Sequence, residues 1–310
     1  MTKAKRGIYA AAVSPFNDNG SLNADMLIAY CKHLLSDGGC DGVAPTGTTG
    51  EGTSVAMRDR LALPGAFSDA GIAKDAVIFG TGAPSAEDCV ALTQAAVDAR
   101  YVNVLVLPPY YYKSPSDEGL YAYYANLVEK IGSDALRIYM YHFPQMSAVP
   151  LSTDLVLRLR KEFGEIIAGV KDSSGDFEQS RAFIEATGGV AEDFDVYPSS
   201  EAMLWDGLNI GSAGIISGST NAFANGVQVA KAAVEGAARD AAMEVVKTAR
   251  ATAGKYPLMA AMKQIEAWRS GDDRWTRMAP PLVPLSSEMR ASLRADLEAI
   301  GAMPASVSAA

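Results

Sequence analysis

The chain has 310 residues, of which 49% are hydrophobic and 20% charged, and its formal net charge is -9. This composition is typical of a globular protein with a large core. The acidic balance argues against nucleic acid and anionic membranes as partners, because both bind basic surfaces. We find no run of about 18 apolar residues and no N-terminal signal sequence. We therefore expect a cytoplasmic protein with no membrane partner.

Histidines and cysteines are too few and too scattered to suggest metal chemistry. Cys31, Cys40 and Cys89 form no C-x-x-C pair, and the two histidines, His33 and His142, lie far apart. A zinc site or a Ser-His-Asp triad needs such residues in suitable combinations. The sequence therefore predicts a protein without a metal ion.

Eight short apolar runs are the predicted strands. They are Ile8–Val13, Asp41–Ala44, Ala76–Phe79, Val102–Leu107, Leu136–Tyr141, Ile166–Val170, Asp195–Tyr197 and Ala213–Ile216. Their residues are apolar throughout rather than alternating with polar ones. This pattern is typical of parallel strands that are buried on both faces.

Amphipathic stretches separate the predicted strands. Ser85–Arg100 and Ser116–Ile131 each begin with a serine that can cap a helix, followed by acidic residues. Eight strand–helix units in series predict an α/β fold, a (β/α)₈ TIM barrel. The alternative is a doubly wound open sheet, which normally carries G-x-G-x-x-G after its first strand. Here that place is occupied by Ala12-Val-Ser-Pro-Phe16.

The strand pattern stops after Asn221. Ala222–Ala253 and Lys255–Arg269 have helical periodicity, and Ser286 or Ser287 can cap a last helix at Glu288–Ile300. We therefore expect a catalytic barrel over residues 1–230 and a C-terminal helical domain over residues 231–310.

Lys171 is the most informative single residue. It follows the apolar run Ile166–Val170, so its amine is expected at the barrel mouth, where barrel enzymes place their catalytic groups. A buried amine loses its proton more readily and can then attack a carbonyl carbon to form a Schiff base. The alternative is a structural ion pair between Lys171 and Asp172.

The segment Gly47-Thr-Thr-Gly-Glu51 follows the second predicted strand. Two glycines around two threonines allow backbone N–H groups and hydroxyls to face one point, an arrangement that suits a carboxylate. The alternative is a tight turn in which a threonine caps the next helix.

Tyrosines follow two further strands. Tyr141 ends the fifth strand, and its hydroxyl at the barrel mouth can transfer protons near a lysine; the alternative is an ordinary core tyrosine. Tyr110, Tyr111 and Tyr112 follow the fourth strand. Because tyrosine is enriched at interfaces, this cluster predicts a contact between subunits of a homo-oligomer.

These motifs in combination resemble the dihydrodipicolinate synthase/N-acetylneuraminate lyase family. The resemblance rests on Gly47–Glu51, on Tyr141-x-x-Pro144 and on Gly169-Val-Lys-Asp-Ser-Ser-Gly175, and it runs from Val13-Ser-Pro-Phe16 to the proline-rich stretch near Pro281. It implies a (β/α)₈ barrel with a C-terminal helical domain, assembled as a homotetramer or dimer. It also implies class I aldolase chemistry on pyruvate or another 2-oxo acid, without a cofactor.

The resemblance also implies roles for individual residues. Lys171 resembles the Schiff-base lysine and Tyr141 the proton-transfer tyrosine. Thr48 resembles a member of the proton relay, and Tyr111 resembles the relay tyrosine that reaches across a dimer interface. The expected catalytic residues are therefore Lys171, Tyr141, Thr48 and Tyr111.

A second set of residues is expected to bind the substrate. Thr48 and Thr49, with Gly47 beside them, resemble the segment that holds the substrate carboxylate. The backbone of Ile216 resembles the wall of the lysine pocket, and Ser173 is a further candidate next to the lysine.

Departures from the family pattern bear on the substrate. Lysine-pathway synthases typically carry an Arg two residues after the strand-5 proline, where this chain has Met146, preceded by Gln145. Met57 and Pro84 stand where feedback-inhibited synthases have polar ligands. These differences favour an aldolase, lyase or dehydratase acting on a 2-oxo acid such as a 2-keto-3-deoxy sugar acid.

Two other interpretations remain open. One is 4-hydroxy-tetrahydrodipicolinate (dihydrodipicolinate) synthase, which condenses pyruvate with aspartate semialdehyde. The other is a non-catalytic protein that binds a 2-oxo acid, and the presence of both Lys171 and Tyr141 argues against it.

Overall fold

The computed structural model describes residues 3–232 and 236–304. Its eight parallel strands are β1 (Gly7–Ala10), β2 (Gly42–Val43), β3 (Phe79–Gly80), β4 (Asn103–Val106), β5 (Arg137–His142), β6 (Ile167–Asp172), β7 (Asp195–Pro198) and β8 (Gly214–Ser217). Each strand overlaps one of the eight predicted runs, and all eight are buried along almost their whole length. Strands covered on both faces need no polar alternation, which is why apolar runs marked them.

The strands close into a barrel. Hydrogen bonding gives the orders β2-β1-β8 and β3-β4-β5-β6-β7. A parallel bridge between Val43 and Val77 joins β2 to the start of β3. On the other side, the Ala213 N–H donates to the Val196 carbonyl at 3.0 Å, and this bond joins β7 to β8. The predicted (β/α)₈ barrel is confirmed, and the open-sheet alternative is wrong.

Helices cover the outside of the barrel and form the C-terminal region. They are α1 (Ala24–Leu35), α2 (Met57–Asp69), α3 (Ala86–Asp98), α4 (Asp117–Ile131), α5 (Pro144–Ser147), α6 (Thr153–Phe163), α7 (Phe177–Thr187), α8 (Leu204–Ile210), α9 (Thr220–Ala232), α10 (Ala237–Ala253), α11 (Leu258–Ser270) and α12 (Ser287–Ala299). The predicted caps at Ser85 and Ser116 accept from the N–H groups of Asp88 and Gly119. Within the described residues, no helix is both long enough and apolar enough to cross a membrane.

Aromatic rings fill the amino-terminal end of the barrel interior. Tyr197 packs against Tyr9 and Tyr139, with ring centroids 5.8 Å and 5.9 Å apart. The hydroxyls of these tyrosines bond to the Lys5 carbonyl and the Asp195 carboxylate at this end. These rings therefore close the amino-terminal end of the barrel interior. The polar side chains at the carboxyl ends of the strands lie at the opposite end.

The C-terminal region differs in detail from the sequence prediction. The stretch Ala222–Ala253 contains two helices rather than one, because α9 ends at Ala232 and Gly236, with φ 102°, precedes α10. The next helix begins at Leu258 directly after Pro257, since proline suits a helix start and not its interior. Ser286 is the cap of α12. The division at residue 230 falls within α9 and stays a prediction.

Candidate active site

Lys171 lies at the carboxyl end of β6, and its side chain is directed into the barrel mouth. The residue is 3% exposed. Its Nζ lies 4.3 Å from the ring centroid of Tyr141, its register neighbour on β5. Within residues 3–232 and 236–304, the Lys171 side chain makes no ion pair. A buried amine beside a tyrosine ring, without a carboxylate partner, can attack a ketone carbon.

Asp172 forms hydrogen bonds with the turn after β6 and does not pair with Lys171. Its carboxylate accepts hydrogen bonds from the backbone and hydroxyl of Ser174 at 2.9 and 3.1 Å and from the Ser180 hydroxyl at 2.5 Å. Adjacent strand residues point to opposite faces, so Asp172 turns outward where Lys171 turns inward. The alternative of a Lys171–Asp172 ion pair is therefore wrong.

Tyr141 connects the lysine to the loop after β2. Its ring is buried in the barrel interior and stacks on Phe143 at 5.8 Å. Its hydroxyl donates to Thr48 Oγ1 at 3.3 Å. The ring thus packs as a core tyrosine while the hydroxyl reaches the site, and the contact can carry a proton between the two hydroxyls. Phe143 was not among the predicted site residues, because an aromatic residue after a strand has many ordinary packing roles.

Residues 46–51, here called the β2 loop, present free backbone donors. Within the described part of the chain, the N–H groups of Thr48 and Thr49 donate to no protein atom. Their hydroxyls lie in the same segment, and both residues are half-buried. Helix α2 begins only at Met57, after Ala56, which offers no side-chain cap. The segment is a turn, in which the Glu51 N–H donates to the Thr48 carbonyl at 3.0 Å, but the predicted threonine cap of α2 is wrong. The loop has the donors that a carboxylate needs.

Close backbone packing sets the shape of the β2 loop. A Cβ atom on Gly52 would lie 1.9 Å from the Thr46 carbonyl oxygen, so only glycine fits there. Thr46 itself has φ 58°, and its hydroxyl donates to the Gly80 carbonyl at 2.9 Å. The loop is thus held against the end of β3 by contacts that the sequence order alone does not reveal.

A buried ion pair ties the β2 loop to the C-terminal region. Glu51 Oε1 lies 2.6 Å from Lys263 Nζ of α11, and neither side chain is exposed. The other oxygen accepts from the Ala279 N–H at 2.8 Å. Lys263 was not among the predicted residues, because it is 212 positions away and stands in an ordinary helical pattern.

The remaining predicted substrate-binding residues lie in the barrel interior and in the loops after β2 and β6. Ile216 is buried with Tyr141 in the barrel interior. Thr49 faces the backbone after β8, where a Cβ atom on Gly218 would lie 3.0 Å from Thr49 Oγ1. Gly47 and Ser173 are half-buried, and the Ser173 N–H donates to the His142 carbonyl at 2.7 Å.

The backbone after β8 is also fixed by a buried carboxylate. Glu201 accepts from the hydroxyls of Ser219 at 2.8 Å and Ser217 at 3.1 Å. Arg250 of α10 donates to Glu201 at 3.0 Å. This network holds the two serines on either side of Gly218, which faces Thr49.

Tyr111 stands apart from the other predicted catalytic residues. It is 74% exposed and Tyr112 is 78% exposed, and their rings contact each other edge to face at 5.3 Å. A single chain brings together Lys171, Tyr141 and Thr48 but leaves Tyr111 outside. A relay role for Tyr111 therefore requires another subunit.

His142 lies on the outer face of β5. Its Nδ1 accepts from the Leu151 N–H at 3.0 Å, and its ring packs on Phe183 at 5.4 Å. Burial lowers the pKa of His142, against a smaller opposite effect of Asp172. The residue is thus a packed structural histidine on the face of β5 opposite Tyr141.

Comparison with known proteins gives a consistent result. Residues 4–300 match the family model described as the dihydrodipicolinate synthetase family. The chain is 34% identical to an uncharacterised DapA-like lyase of Chloroflexus aurantiacus, with 95% of this chain and 97% of that protein covered. It is 28% identical to the 4-hydroxy-tetrahydrodipicolinate synthase of Bacillus subtilis, over 92% and 96% of the two chains.

Among solved structures, the chain is similar to dihydrodipicolinate synthase from Agrobacterium tumefaciens. The TM-score is 0.85 at 33% sequence identity, and the match covers 96% of this chain and 99% of that one. The likeness therefore extends through both the barrel and the C-terminal helices.

Proposed function

The chain belongs to the dihydrodipicolinate synthetase family of Schiff-base aldolases, and from this premise we propose how its own residues act. The amine of Lys171 attacks the ketone carbon of a 2-oxo acid, and loss of water leaves an iminium. The observation that carries this proposal is the buried Lys171 amine beside Tyr141, with no carboxylate partner in the described chain.

The β2 loop is the proposed carboxylate site. The two hydroxyls and the N–H groups of Thr48 and Thr49 lie in this loop, and within the described residues these N–H groups donate to no protein atom. Such a neutral group of donors can bind an anion while leaving the lysine free for the ketone. Gly47, Ile216 and Ser173 complete the proposed walls.

Tyr141 is the proposed proton carrier. In the cleavage direction its oxygen takes a proton from the hydroxyl two carbons from the iminium carbon. The carbon–carbon bond then breaks, its electron pair enters the iminium to give an enamine, and an aldehyde leaves. Protonation of the enamine and hydrolysis release pyruvate and restore the lysine. Thr48, which accepts from Tyr141, is the next group of the relay, and Tyr111 of another subunit is the proposed last one.

The proposed reaction is cleavage, formation or dehydration of a 2-oxo acid whose distal end is uncharged, such as a 2-keto-3-deoxy sugar acid. Met146 supports this choice because it offers no charge to a second carboxylate. The second candidate is 4-hydroxy-tetrahydrodipicolinate synthesis, and the Bacillus subtilis and Agrobacterium tumefaciens relatives favour it. We place the enzyme in the cytoplasm as a homo-oligomer, an assembly favoured by the exposed Tyr111 and Tyr112.

Borohydride reduction in the presence of pyruvate tests the mechanism. We expect a covalent adduct on the peptide that contains Lys171, identified by mass spectrometry. Lys171→Ala should remove the adduct and lower turnover by at least about 10³-fold, because the covalent intermediate is lost. Lys161→Ala, which changes an exposed lysine of α6, is the control and should behave as wild type.

Labelling of a different lysine, or of none, would contradict the Schiff-base mechanism. A panel of 2-keto-3-deoxy sugar acids, assayed for pyruvate release, then separates the two candidate reactions. Release from a sugar acid supports the first candidate, and efficient condensation of pyruvate with aspartate semialdehyde supports the second.

A further inference from the structure

The β2 loop is fixed from outside the barrel by a charge pair. Glu51, its last residue, contacts Lys263 of α11 at 2.6 Å with both side chains fully buried. The Ala279 N–H donates to the second carboxylate oxygen at 2.8 Å. A buried charge is stable only when it is paired and hydrogen-bonded, so Glu51 is confined to one position.

We propose that Lys263 is a positioning residue for the carboxylate site, a role that rests on the function proposed above. Its effect reaches the substrate through Glu51. The Glu51 N–H donates to the Thr48 carbonyl at 3.0 Å, and Glu51 has a left-handed φ of 52°. Movement of Glu51 would therefore rotate the peptide groups of Thr48 and Thr49, whose N–H groups are the proposed donors.

The two charges depend on each other. Burial lowers the pKa of Lys263, and the adjacent Glu51 opposes this shift by favouring the charged ammonium. Nζ also lies 4.6 Å from the ring centroid of Phe16, which favours a cation. Loss of either partner should therefore release the other, so the two single substitutions should act on the loop in the same way.

The chain provides a matched control on the same helix. Glu266 is also a buried carboxylate of α11, and it accepts two hydrogen bonds from Arg269 at 2.6 Å each. This pair lies within one helix and reaches no residue of the β2 loop. Glu266→Gln therefore removes a comparable ion pair without changing the proposed positioning contact.

The test measures how borohydride-trapped imine depends on pyruvate concentration. For Lys263→Met we expect the half-saturating pyruvate concentration to rise about 10- to 100-fold, because misplaced donors bind the carboxylate poorly. The maximal yield at saturating pyruvate should fall much less, since Lys171 and Tyr141 stand on strands. Glu266→Gln should lower the melting temperature while keeping the half-saturating concentration within about two-fold of wild type.

Two further variants keep the test informative if Lys263→Met does not fold. Glu51→Gln keeps the shape of the side chain and can still accept from Ala279, so it is measured wherever Lys263→Met does not fold. The double variant should raise the half-saturating concentration no more than the stronger single variant, because both remove the same pair.

The outcomes separate this inference from the proposed function. If wild type forms no imine, the proposed function fails, whatever Lys263 does. If wild type forms the imine and folded Lys263→Met and Glu51→Gln variants saturate at the wild-type pyruvate concentration, the positioning role is wrong. A loss of stability alone, equal to that of Glu266→Gln, would likewise overturn it.

Discussion

The loops after β2 and β4 each carry a predicted relay hydroxyl, Thr48 and Tyr111, but Thr48 is half-buried whereas Tyr111 is exposed. The β2 loop is tied to β3 through Thr46 and to α11 through the buried Glu51. The segment after β4 presents Tyr111 and Tyr112 to solvent. One half of the proposed relay is therefore built into the barrel, whereas the other half projects from it.

This difference indicates how the site is assembled. Donors that must hold a carboxylate gain from rigid placement, because freedom left in them would be lost on binding. Two adjacent tyrosines that are more than 70% exposed form an apolar patch of the kind that marks an interface. We expect a partner subunit to cover Tyr111 and Tyr112 and the β2 loop to need no partner.

The largest effect is expected at Tyr141, where the two halves of the relay meet the lysine. Tyr141→Phe keeps the ring that stacks on Phe143 and removes only the hydroxyl that donates to Thr48. Turnover should fall about 10²- to 10⁴-fold, while some imine still forms. Rapid-quench measurement of trapped imine against steady-state turnover checks this split. An unchanged kcat would show that another group moves the proton.

A smaller effect is expected at Tyr111, because it acts through Thr48 and Tyr141. Tyr111→Phe should lower kcat about 10²-fold with the trapped imine unchanged. Tyr112→Phe is the control, since its ring is equally exposed and has no predicted relay role. Equal losses in the two variants would remove the distinction between the neighbouring tyrosines.

Mixing two impaired chains sharpens the comparison of the loops. A Lys171→Ala chain can supply Tyr111 to the site of a Tyr111→Phe chain, so mixed oligomers should regain activity. For random dimers, roughly a quarter of the sites would be complete in both respects, because half of the dimers are mixed. The same experiment with Thr48→Val in place of Tyr111→Phe should give no recovery, since Thr48 belongs to its own chain. Light scattering that shows a monomer at micromolar concentration would contradict the expected recovery with Tyr111→Phe.

The features that the sequence predicted are those set by local pattern. Buried parallel strands are continuous apolar runs, and Lys171 directly follows one of them, so its place at the barrel mouth could be predicted. The Glu51–Lys263 pair could not, because it joins two segments 212 residues apart and neither has a local signal for the other. The break before α10 was missed because one glycine in an alanine-rich stretch is weak evidence against a continuous helix.

The smallest expected effect concerns substrate choice at Met146. This residue lies in α5, next to the β5 end that carries Tyr141, and it is 56% exposed. Its neighbour Gln145 is engaged, because its Nε2 donates to the Ser174 carbonyl at 2.5 Å. The Arg181 guanidinium of α7 is paired with Glu178 at 3.1 Å, and the Lys113 ammonium donates to the Tyr110 carbonyl and to the Ser147 carbonyl at 3.4 Å. Met146 itself therefore offers no charge to the distal end of a substrate in the proposed site.

An Arg at this position would give a charge-assisted pair worth roughly 1.5–3 kcal/mol, which corresponds to about one to two decades in kcat/KM. We expect wild type to condense pyruvate with aspartate semialdehyde poorly and Met146→Arg to gain activity within that range. Met146→Gln, which is polar but uncharged, is the control and should gain little. Wild-type kcat/KM near ~10⁴ M⁻¹s⁻¹ or above with aspartate semialdehyde would favour the synthase instead. A distal carboxylate would then have to be held by a group other than the residue at position 146.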